Sequence, residues 1–224
     1  MMSPRRARRP AAILFDCDGV LADSEPLVNR VIAADLTLRG WSMTPHEAGY
    51  TFLGTALPDM VPRIEAVVGT LPADWMTMIS RRVAAVMKEE VEPVSGAPEA
   101  LQTIVAHGVP IAVASNSTRL ELETKLHRLG FASLFSGRIL SFEDVPRPKP
   151  WPDIYLAAAQ ACTAEPGDCV VIEDSLPGVR AGVSAGCKVL GFAKELGCEQ
   201  LESEGAYPFT DMRQLPALLG LTED

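Results

Sequence analysis

The chain has 224 residues, of which 47% are hydrophobic and 22% are charged, and its formal net charge is -9. This length and composition predict one large domain, or one domain with a smaller insert, and exclude a chain that is disordered throughout. The negative charge argues against nucleic acid and anionic membranes as partners, because binding to either needs clustered cations.

Residues 1–10 carry the basic residues that precede the first apolar run, namely Arg5, Arg6, Arg8 and Arg9. We expect this segment to be a flexible basic arm. No apolar run approaches the ~18 residues that a membrane span needs, and the arginines are not followed by the apolar region of a secretory signal. The five cysteines lack the spacing of a disulfide framework or a zinc site, so we expect them to be reduced in a cytoplasmic protein.

The first predicted strand covers residues 11–15, an apolar run that ends abruptly in Asp16-Cys17-Asp18-Gly19. A short apolar run of this kind is typical of a strand that is buried on both faces of a parallel sheet. Asp16 and Asp18 are two positions apart, so their side chains point to the same side of an extended chain. Gly19 allows a tight turn in which backbone amides face an anion.

Residues 24–91 contain helical patterns and no convincing strand. One helix begins near Ser24-Glu25-Pro26, and further helical patterns cover about 55–68 and 72–90. We interpret the whole segment as an all-helical cap domain that is inserted into an α/β core made of residues 11–23 and 92–224.

Strands and helices alternate through the rest of the chain. The predicted strands cover 110–114, 138–140, 169–172 and 188–192, and the predicted helices cover 97–106, 118–129, 154–161 and a segment that begins at Pro177. The second of these helices begins with a capping box, Thr118-x-x-Glu121. This alternation predicts an α/β fold with a doubly wound, Rossmann-like parallel sheet.

Side chains that carry chemistry follow the predicted strands at their carboxyl ends, where open parallel sheets bind ligands. They are Asp16, Asp18, Ser115, Asn116, Lys149, Glu173 and Asp174. Two unit charges ~4 Å apart at an effective dielectric constant of ~20 interact by about 4 kcal/mol, so clustered carboxylates need a cation. Oxygen ligands of this kind suit Mg²⁺, and Lys149 supplies a second positive charge.

A carboxylate cluster with a magnesium ion, a lysine and a hydroxyl group is typical of a phosphoryl-transfer site. Asp16 is placed to attack phosphorus and form an aspartyl-phosphate. Asp18 is placed to protonate the leaving alcohol and then to deprotonate the attacking water.

Four motifs in this order resemble those of the haloacid dehalogenase superfamily, in its helical-cap phosphatase and β-phosphoglucomutase-like branch. They lie at Asp16–Pro26, Ala114–Ser117, Lys149–Tyr155 and Ile172–Gly178. The likeness spans nearly the whole chain, and the helical insert lies where this branch carries its cap.

The resemblance implies a role for each candidate site residue. Asp16 is the implied nucleophile, Asp18 the general acid and base, and Ser115 and Lys149 the residues that hold the transferring phosphoryl group. The candidate phosphate-binding residues are Gly19, Ser115, Asn116 and Lys149. The implied Mg²⁺ ligands are the Asp16 and Asp174 carboxylates and the main-chain carbonyl of Asp18, with Glu173 as a further ligand candidate, directly or through water.

The cap segment near residues 50–57 is the expected specificity segment. The mutases of this branch carry a lysine before its glycine, an arginine after it, and a histidine in the first cap helix, where this chain has Leu53, Leu57 and Val28. We therefore predict a Mg²⁺-dependent phosphatase that acts on a small phosphorylated metabolite, such as a sugar phosphate. A β-phosphoglucomutase-type mutase and a non-catalytic phosphometabolite-binding protein are the alternatives. We expect a monomer or weak dimer.

Overall fold

The computed structural model describes residues 9–52, 54–135 and 137–221, so Arg5, Arg6 and Arg8 of the predicted arm lie outside it. Its strands are β1 (Ala12–Phe15), β2 (Ala22–Asp23), β3 (Glu92–Pro93), β4 (Ile111–Ser115), β5 (Ile139–Ser141), β6 (Cys169–Glu173), β7 (Lys188–Phe192) and β8 (Tyr207–Phe209). Six of them form a parallel sheet in the order β5-β4-β1-β6-β7-β8. The predicted parallel sheet is therefore confirmed.

Strand β1 lies in the middle of this sheet and is buried on both faces. Ile13 and Phe15 belong to one hydrophobic cluster, and Ala12 and Leu14 belong to the other. Successive side chains of a strand point to opposite faces, so a strand that is covered on both faces is apolar at every position.

Helices cover both faces of the sheet. The helices on the face of Ile13 are α5 (Ala97–Ala106), α6 (Arg119–Arg128), α7 (Ala132–Phe135) and α11 (Leu215–Leu218), and those on the face of Leu14 are α8 (Asp153–Ala161), α9 (Leu176–Ser184) and α10 (Cys198–Ser203). Helix α6 begins at the predicted capping box, in which the Glu121 amide donates to Thr118 Oγ1 at 3.3 Å. This arrangement confirms the doubly wound architecture.

Four helices fill the stretch between β2 and β3. They are α1 (Glu25–Leu38), α2 (Pro45–Phe52), α3 (Leu57–Val68) and α4 (Trp75–Glu90). Asp35 on α1 is buried and accepts hydrogen bonds from Trp75 Nε1 at 2.7 Å, Arg39 Nε at 2.7 Å and Arg82 at 3.1 Å, which connects α1 to α4. We propose that these helices are the cap of a cap-and-core enzyme.

Strands β2 and β3 pair in an antiparallel ribbon, in which Ala22 lies opposite Pro93 and Asp23 opposite Glu92. The chain therefore enters and leaves the four-helix segment at adjacent points. Among the described residues, no helix is long and apolar enough to cross a lipid bilayer.

Candidate active site

Three neighbouring strands, β4, β1 and β6, end at the same edge of the sheet. Asp16 directly follows β1, Ser115 is the last residue of β4, and Glu173 is the last residue of β6, with Asp174 next in the chain. All four are buried, with exposed fractions of 6% or less. The structure thus brings the predicted strand-end residues together.

Gly19 makes the turn after β1 possible. Its φ is +74°, and a Cβ at this position would lie 1.8 Å from Asp174 Oδ2. Only glycine fits so close to the Asp174 carboxylate in this backbone conformation. Cys17, between the two aspartates, is buried in the hydrophobic core, as the alternation of side chains predicts.

Lys149 lies against the nucleophile candidate. Its buried Nζ donates to Asp16 Oδ1 at 2.5 Å and to Glu173 Oε1 at 2.6 Å, and both carboxylates raise the pKa of Lys149 against the effect of its burial. Asn116 holds the Lys149 backbone: its Oδ1 accepts from the Lys149 amide at 3.0 Å, and its Nδ2 donates to the Lys149 carbonyl at 3.2 Å. The same Nδ2 donates to the Gly54 carbonyl of the helical segment at 3.1 Å.

The Glu173 carboxylate accepts hydrogen bonds from five donors. Besides Lys149, Tyr155 Oη donates to Oε1 at 2.8 Å, and the Asp174 amide, Ser175 amide and Ser175 Oγ donate to Oε2 at 3.0–3.1 Å. Sequence reasoning quoted Tyr155 within a motif but did not assign it a role. In this arrangement Glu173 anchors Lys149 and has little capacity left for another ligand.

The acidic cluster is the place where a cation fits. The Asp16, Glu173 and Asp174 carboxylates each have an oxygen within 4.8 Å of the other two, and of these three residues Glu173 is the one whose oxygens already accept hydrogen bonds from five donors. Burial raises the pKa of Asp16 to about 8 despite Lys149, and burial together with nearby carboxylates raises the pKa of Asp174 well above its usual range. Since the Asp174 carboxylate accepts no hydrogen bond from any described residue, these buried oxygens fit a hard divalent cation such as Mg²⁺.

The Asp18 carboxylate is held by four side-chain donors. Ser115 Oγ and Ser117 Oγ donate to Oδ2 at 3.0 and 2.8 Å, and Ser24 Oγ and Lys125 Nζ donate to Oδ1. Burial alone would raise the pKa of Asp18, but the Lys125 ammonium and the hydroxyl donors outweigh it and lower the pKa to about 2. The predicted phosphate contact Ser115 thus bonds to Asp18 in this structure.

Lys125 is a site residue that sequence reasoning missed. It is fully buried on α6 and forms an ion pair with Asp18. The signal lies in the helical pattern: Leu122, Lys125, Leu126 and Leu129 have the spacing of one helix face. A lysine within an apolar face needs a buried partner, and the sequence alone does not say which carboxylate supplies it.

A cavity of about 100 Å³ lies between the four-helix segment and the sheet, beside Asp18. Part of the expected specificity segment lines it, namely Phe52, Gly54, Thr55 and Leu57, whereas Tyr50 is 89% exposed. No lysine, arginine or histidine is among the described residues that line this cavity.

The chain is similar to known hydrolases and phosphatases. A model of the haloacid dehalogenase-like hydrolases matches residues 10–186. The 6-phosphogluconate phosphatase of Escherichia coli strain K12 is 29% identical over 94% of this chain and 95% of that protein, and hexitol phosphatase A of the same strain is 31% identical over 81% and 82%. A hydrolase of this family from Deinococcus radiodurans R1, solved with phosphate and sodium, is 34% identical, covers 96% of this chain and 98% of its own, and superposes with a TM-score of 0.76.

Proposed function

We propose that this chain, which belongs to the haloacid dehalogenase-like hydrolases, is a Mg²⁺-dependent phosphatase that hydrolyses a small phosphorylated metabolite through an aspartyl-phosphate on Asp16. The observation that carries this proposal is the buried Asp16 carboxylate in contact with Lys149, with the Glu173 and Asp174 carboxylates beside it. The relatives named for 6-phosphogluconate and for hexitol support a small phosphate monoester as substrate.

The reaction has two displacements at phosphorus. An Asp16 carboxylate oxygen attacks phosphorus, the bond from phosphorus to the leaving oxygen breaks, and Asp18 gives its proton to that oxygen. Asp18 then takes a proton from a water molecule whose oxygen attacks phosphorus. The bond from phosphorus to Asp16 breaks, so inorganic phosphate leaves and both carboxyl groups return to their first state.

The other site residues position charge around these atoms. Lys149 presents a cation directly beside the attacking oxygen, and Glu173 and Asn116 fix its side chain and backbone. The Asp16 and Asp174 carboxylates and the Asp18 main-chain carbonyl would hold the metal. When bound, a divalent cation offsets the negative charge of the transferring phosphoryl group.

Asp18 donates a proton in the first displacement and accepts one in the second, so it has to begin each displacement in a different protonation state. With four donors and a pKa of about 2, it is suited to remain a carboxylate and accept a proton. To protonate the leaving oxygen it first has to take up a proton from the solvent or from the substrate monoanion. The Lys125 ammonium opposes this step because it stabilises the Asp18 carboxylate, so the ion pair has to weaken first. We infer that substrate entry and the weakening of this ion pair are linked.

The mutase alternative requires the cavity to hold a second phosphoryl group. The cavity wall offers no cation among the described residues, which favours hydrolysis over transfer within a sugar. With β-glucose 1-phosphate as substrate, we expect any turnover to release phosphate, whereas glucose 6-phosphate without free phosphate would identify a mutase.

The direct test of the proposal is phosphate release from an aryl phosphate and from a panel of metabolite phosphates, with Mg²⁺ and with a chelator. We expect Mg²⁺-dependent turnover by the wild-type chain and none by Asp16→Asn. Asp74→Asn is the matched control, because Asp74 is exposed at the start of α4 and its side chain does not cap the helix. Equal phosphate release with Mg²⁺ and with the chelator, or phosphate release by Asp16→Asn at the wild-type rate, would refute the mechanism.

A further inference from the structure

We propose that Glu121 selects the leaving group: its Oε1 accepts a hydrogen bond from a hydroxyl or ammonium group of a substrate alcohol that carries no acidic group. This inference rests on the proposed phosphatase function and concerns the part of the substrate that departs. It assigns the substrate class to phosphate monoesters of polyols or amino alcohols, as opposed to sugar acids and bisphosphates.

Glu121 is a buried carboxylate with an unused oxygen. The residue is 6% exposed, its Oε2 accepts a long hydrogen bond of 3.3 Å from the Thr118 amide, and the Ser80 hydroxyl on α4 also stabilises the carboxylate. Its Oε1 is buried and has no hydrogen-bond partner among the described residues. Burial raises the pKa of Glu121 to about 7, although Lys125 and Ser80 act in the opposite direction. Buried acceptors without a donor are rare in folded proteins, so this atom points to a donor that arrives with a ligand.

The position of Glu121 identifies that ligand as the leaving group. Glu121 lines the cavity that also contains Asp18, the residue proposed to protonate the leaving oxygen. A substrate whose leaving oxygen reaches Asp18 has the rest of its alcohol in this cavity. A donor on that alcohol is therefore the natural partner of Oε1.

The charge of the cavity wall argues against an acidic leaving group. Asp18, Glu25 and Glu121 all line the cavity, and within the described part of the chain no cation does. The Lys125 ammonium forms an ion pair with the Asp18 carboxylate, and Lys194 Nζ lies 2.7 Å from Asp23 Oδ1. A carboxylate or second phosphate in this cavity would thus face Glu25 and Glu121, with no cation on the described part of the wall to pair with it.

The remaining wall fits a small carbon skeleton. Apolar side chains dominate it, including Val28, Ile32, Phe52, Met60, Ile79 and Val83, and Asn29 adds a second polar group. Such a wall packs against carbon atoms, while a few polar groups fix their orientation.

The test compares two substrates that differ at one carbon. Glucitol 6-phosphate and 6-phosphogluconate share their skeleton and differ only in a hydroxymethyl group or a carboxylate at C1. We expect the wild-type kcat/KM for glucitol 6-phosphate to exceed that for 6-phosphogluconate by at least about tenfold, as for a hydrogen bond to a charged group. 2-Amino-2-deoxyglucitol 6-phosphate is a second arm, because it replaces one hydroxyl group of the same open chain by an ammonium group. The faster substrate of this pair identifies the donor as ammonium or hydroxyl.

The variant Glu121→Gln removes the charge and keeps the shape. We expect this variant to reduce the ratio of kcat/KM for glucitol 6-phosphate to kcat/KM for 6-phosphogluconate about tenfold. The change should lie mainly in KM, because the donor is bound before the chemistry begins. Glu123→Gln is the matched control on the same helix, since Glu123 is exposed and contacts Arg119 at 3.1 Å. We expect the control to leave the ratio unchanged.

The outcomes separate this inference from the proposed function. Hydrolysis of an aryl phosphate by the wild-type chain, combined with a preference for 6-phosphogluconate or a ratio unaffected by Glu121→Gln, overturns the inference alone. Release of no phosphate from any substrate overturns the proposed function. The wild-type preference needs no variant, so the inference stays testable even if Glu121→Gln fails to fold.

Discussion

Asp16 and Asp18 are two positions apart, yet their surroundings shift their pKa values in opposite directions. Burial raises the pKa of Asp16 to about 8 even though Lys149 contacts it. Lys125, together with the hydroxyl groups of Ser24 and Ser117, lowers the pKa of Asp18 to about 2 against its burial. Two carboxyl groups whose pKa values are pushed apart are suited to two different roles. A divalent cation bound beside Asp16, in addition to Lys149, would lower its pKa and so ionise the proposed nucleophile at neutral pH.

The buried Glu121 carboxyl group should make the free energy of unfolding depend on pH. Its pKa is raised from 4.5 to about 7, so the folded chain binds this proton more tightly than the unfolded chain does. The free energy of unfolding therefore falls as pH rises between these values, and the loss is complete above about pH 7. We expect Glu121→Gln to leave stability unchanged below pH 4.5 and to raise it by up to about 3 kcal/mol at pH 8.

Chemical denaturation at pH 4 and pH 8 measures this effect, with Glu123→Gln as the control that removes an exposed charge from the same helix. An increase in stability of equal size at both pH values would show that the charge of Glu121 is not the cause. A loss of stability at pH 8 would contradict the burial argument itself.

At the scale of residues, sequence reasoning finds the side chains that follow strands and misses those that reach the site from helices. Asp16, Ser115 and Asp174 were predictable because parallel strands end at one edge. Lys125 and Tyr155 were not, since each lies within a helical pattern whose facing element the sequence does not name.

At the scale of elements, burial determines which strands and helices can be predicted from the sequence. The central strands β1, β4 and β6 are covered on both faces and leave a run of apolar residues. The two-residue strands β2 and β3 and the short helices α10 and α11 leave no such pattern, because their positions depend on neighbours distant in sequence. The helix predicted over 97–106 is confirmed at both ends, whereas α2 was not predicted.

The contact between α9 and β6 leaves no room for a side chain at Gly178. A Cβ at Gly178 would lie 1.7 Å from Glu173 Oε1, so Gly178→Ala has to displace the carboxylate that anchors Lys149. We expect a loss of about 1–3 kcal/mol in the free energy of unfolding and of about a hundredfold in phosphate release.

Thermal unfolding and phosphate release measure the two effects. Gly167→Ala is the matched control, because the nearest atom to its added Cβ is 4.0 Å away. If Gly178→Ala retains full phosphate release, the position of Glu173 does not matter for the reaction.

At the scale of the whole molecule, the four-helix segment and the sheet share one hydrophobic cluster, which contains Ile32 and Trp75 as well as Ile13 and Phe15. A hydrogen bond of 2.6 Å between Ser80 on α4 and Thr118 before α6 joins the two parts near the cavity. The cavity is thus formed by both parts, and in the proposed mechanism it would shield the leaving group from water.

The net charge of -9 fits this whole-molecule arrangement. In the proposed mechanism a basic surface is not needed to hold the substrate phosphate, because the cations beside the two proposed catalytic carboxylates are buried lysines, Lys149 at Asp16 and Lys125 at Asp18. The four-helix segment between β2 and β3 was predictable from the absence of a strand pattern over residues 24–91. The residues that line the cavity could not be predicted, since they depend on how the four-helix segment packs against the sheet.

The central claim is that Asp16 is the nucleophile. Acid quenching of the wild-type chain during turnover of an aryl phosphate, followed by peptide mapping by mass spectrometry, locates any covalent phosphoryl group. We expect it on the peptide that contains Asp16, at the Asp16 side chain, and absent from Asp16→Asn. A phosphoryl group on another residue, or turnover by Asp16→Asn at the wild-type rate, would contradict the account.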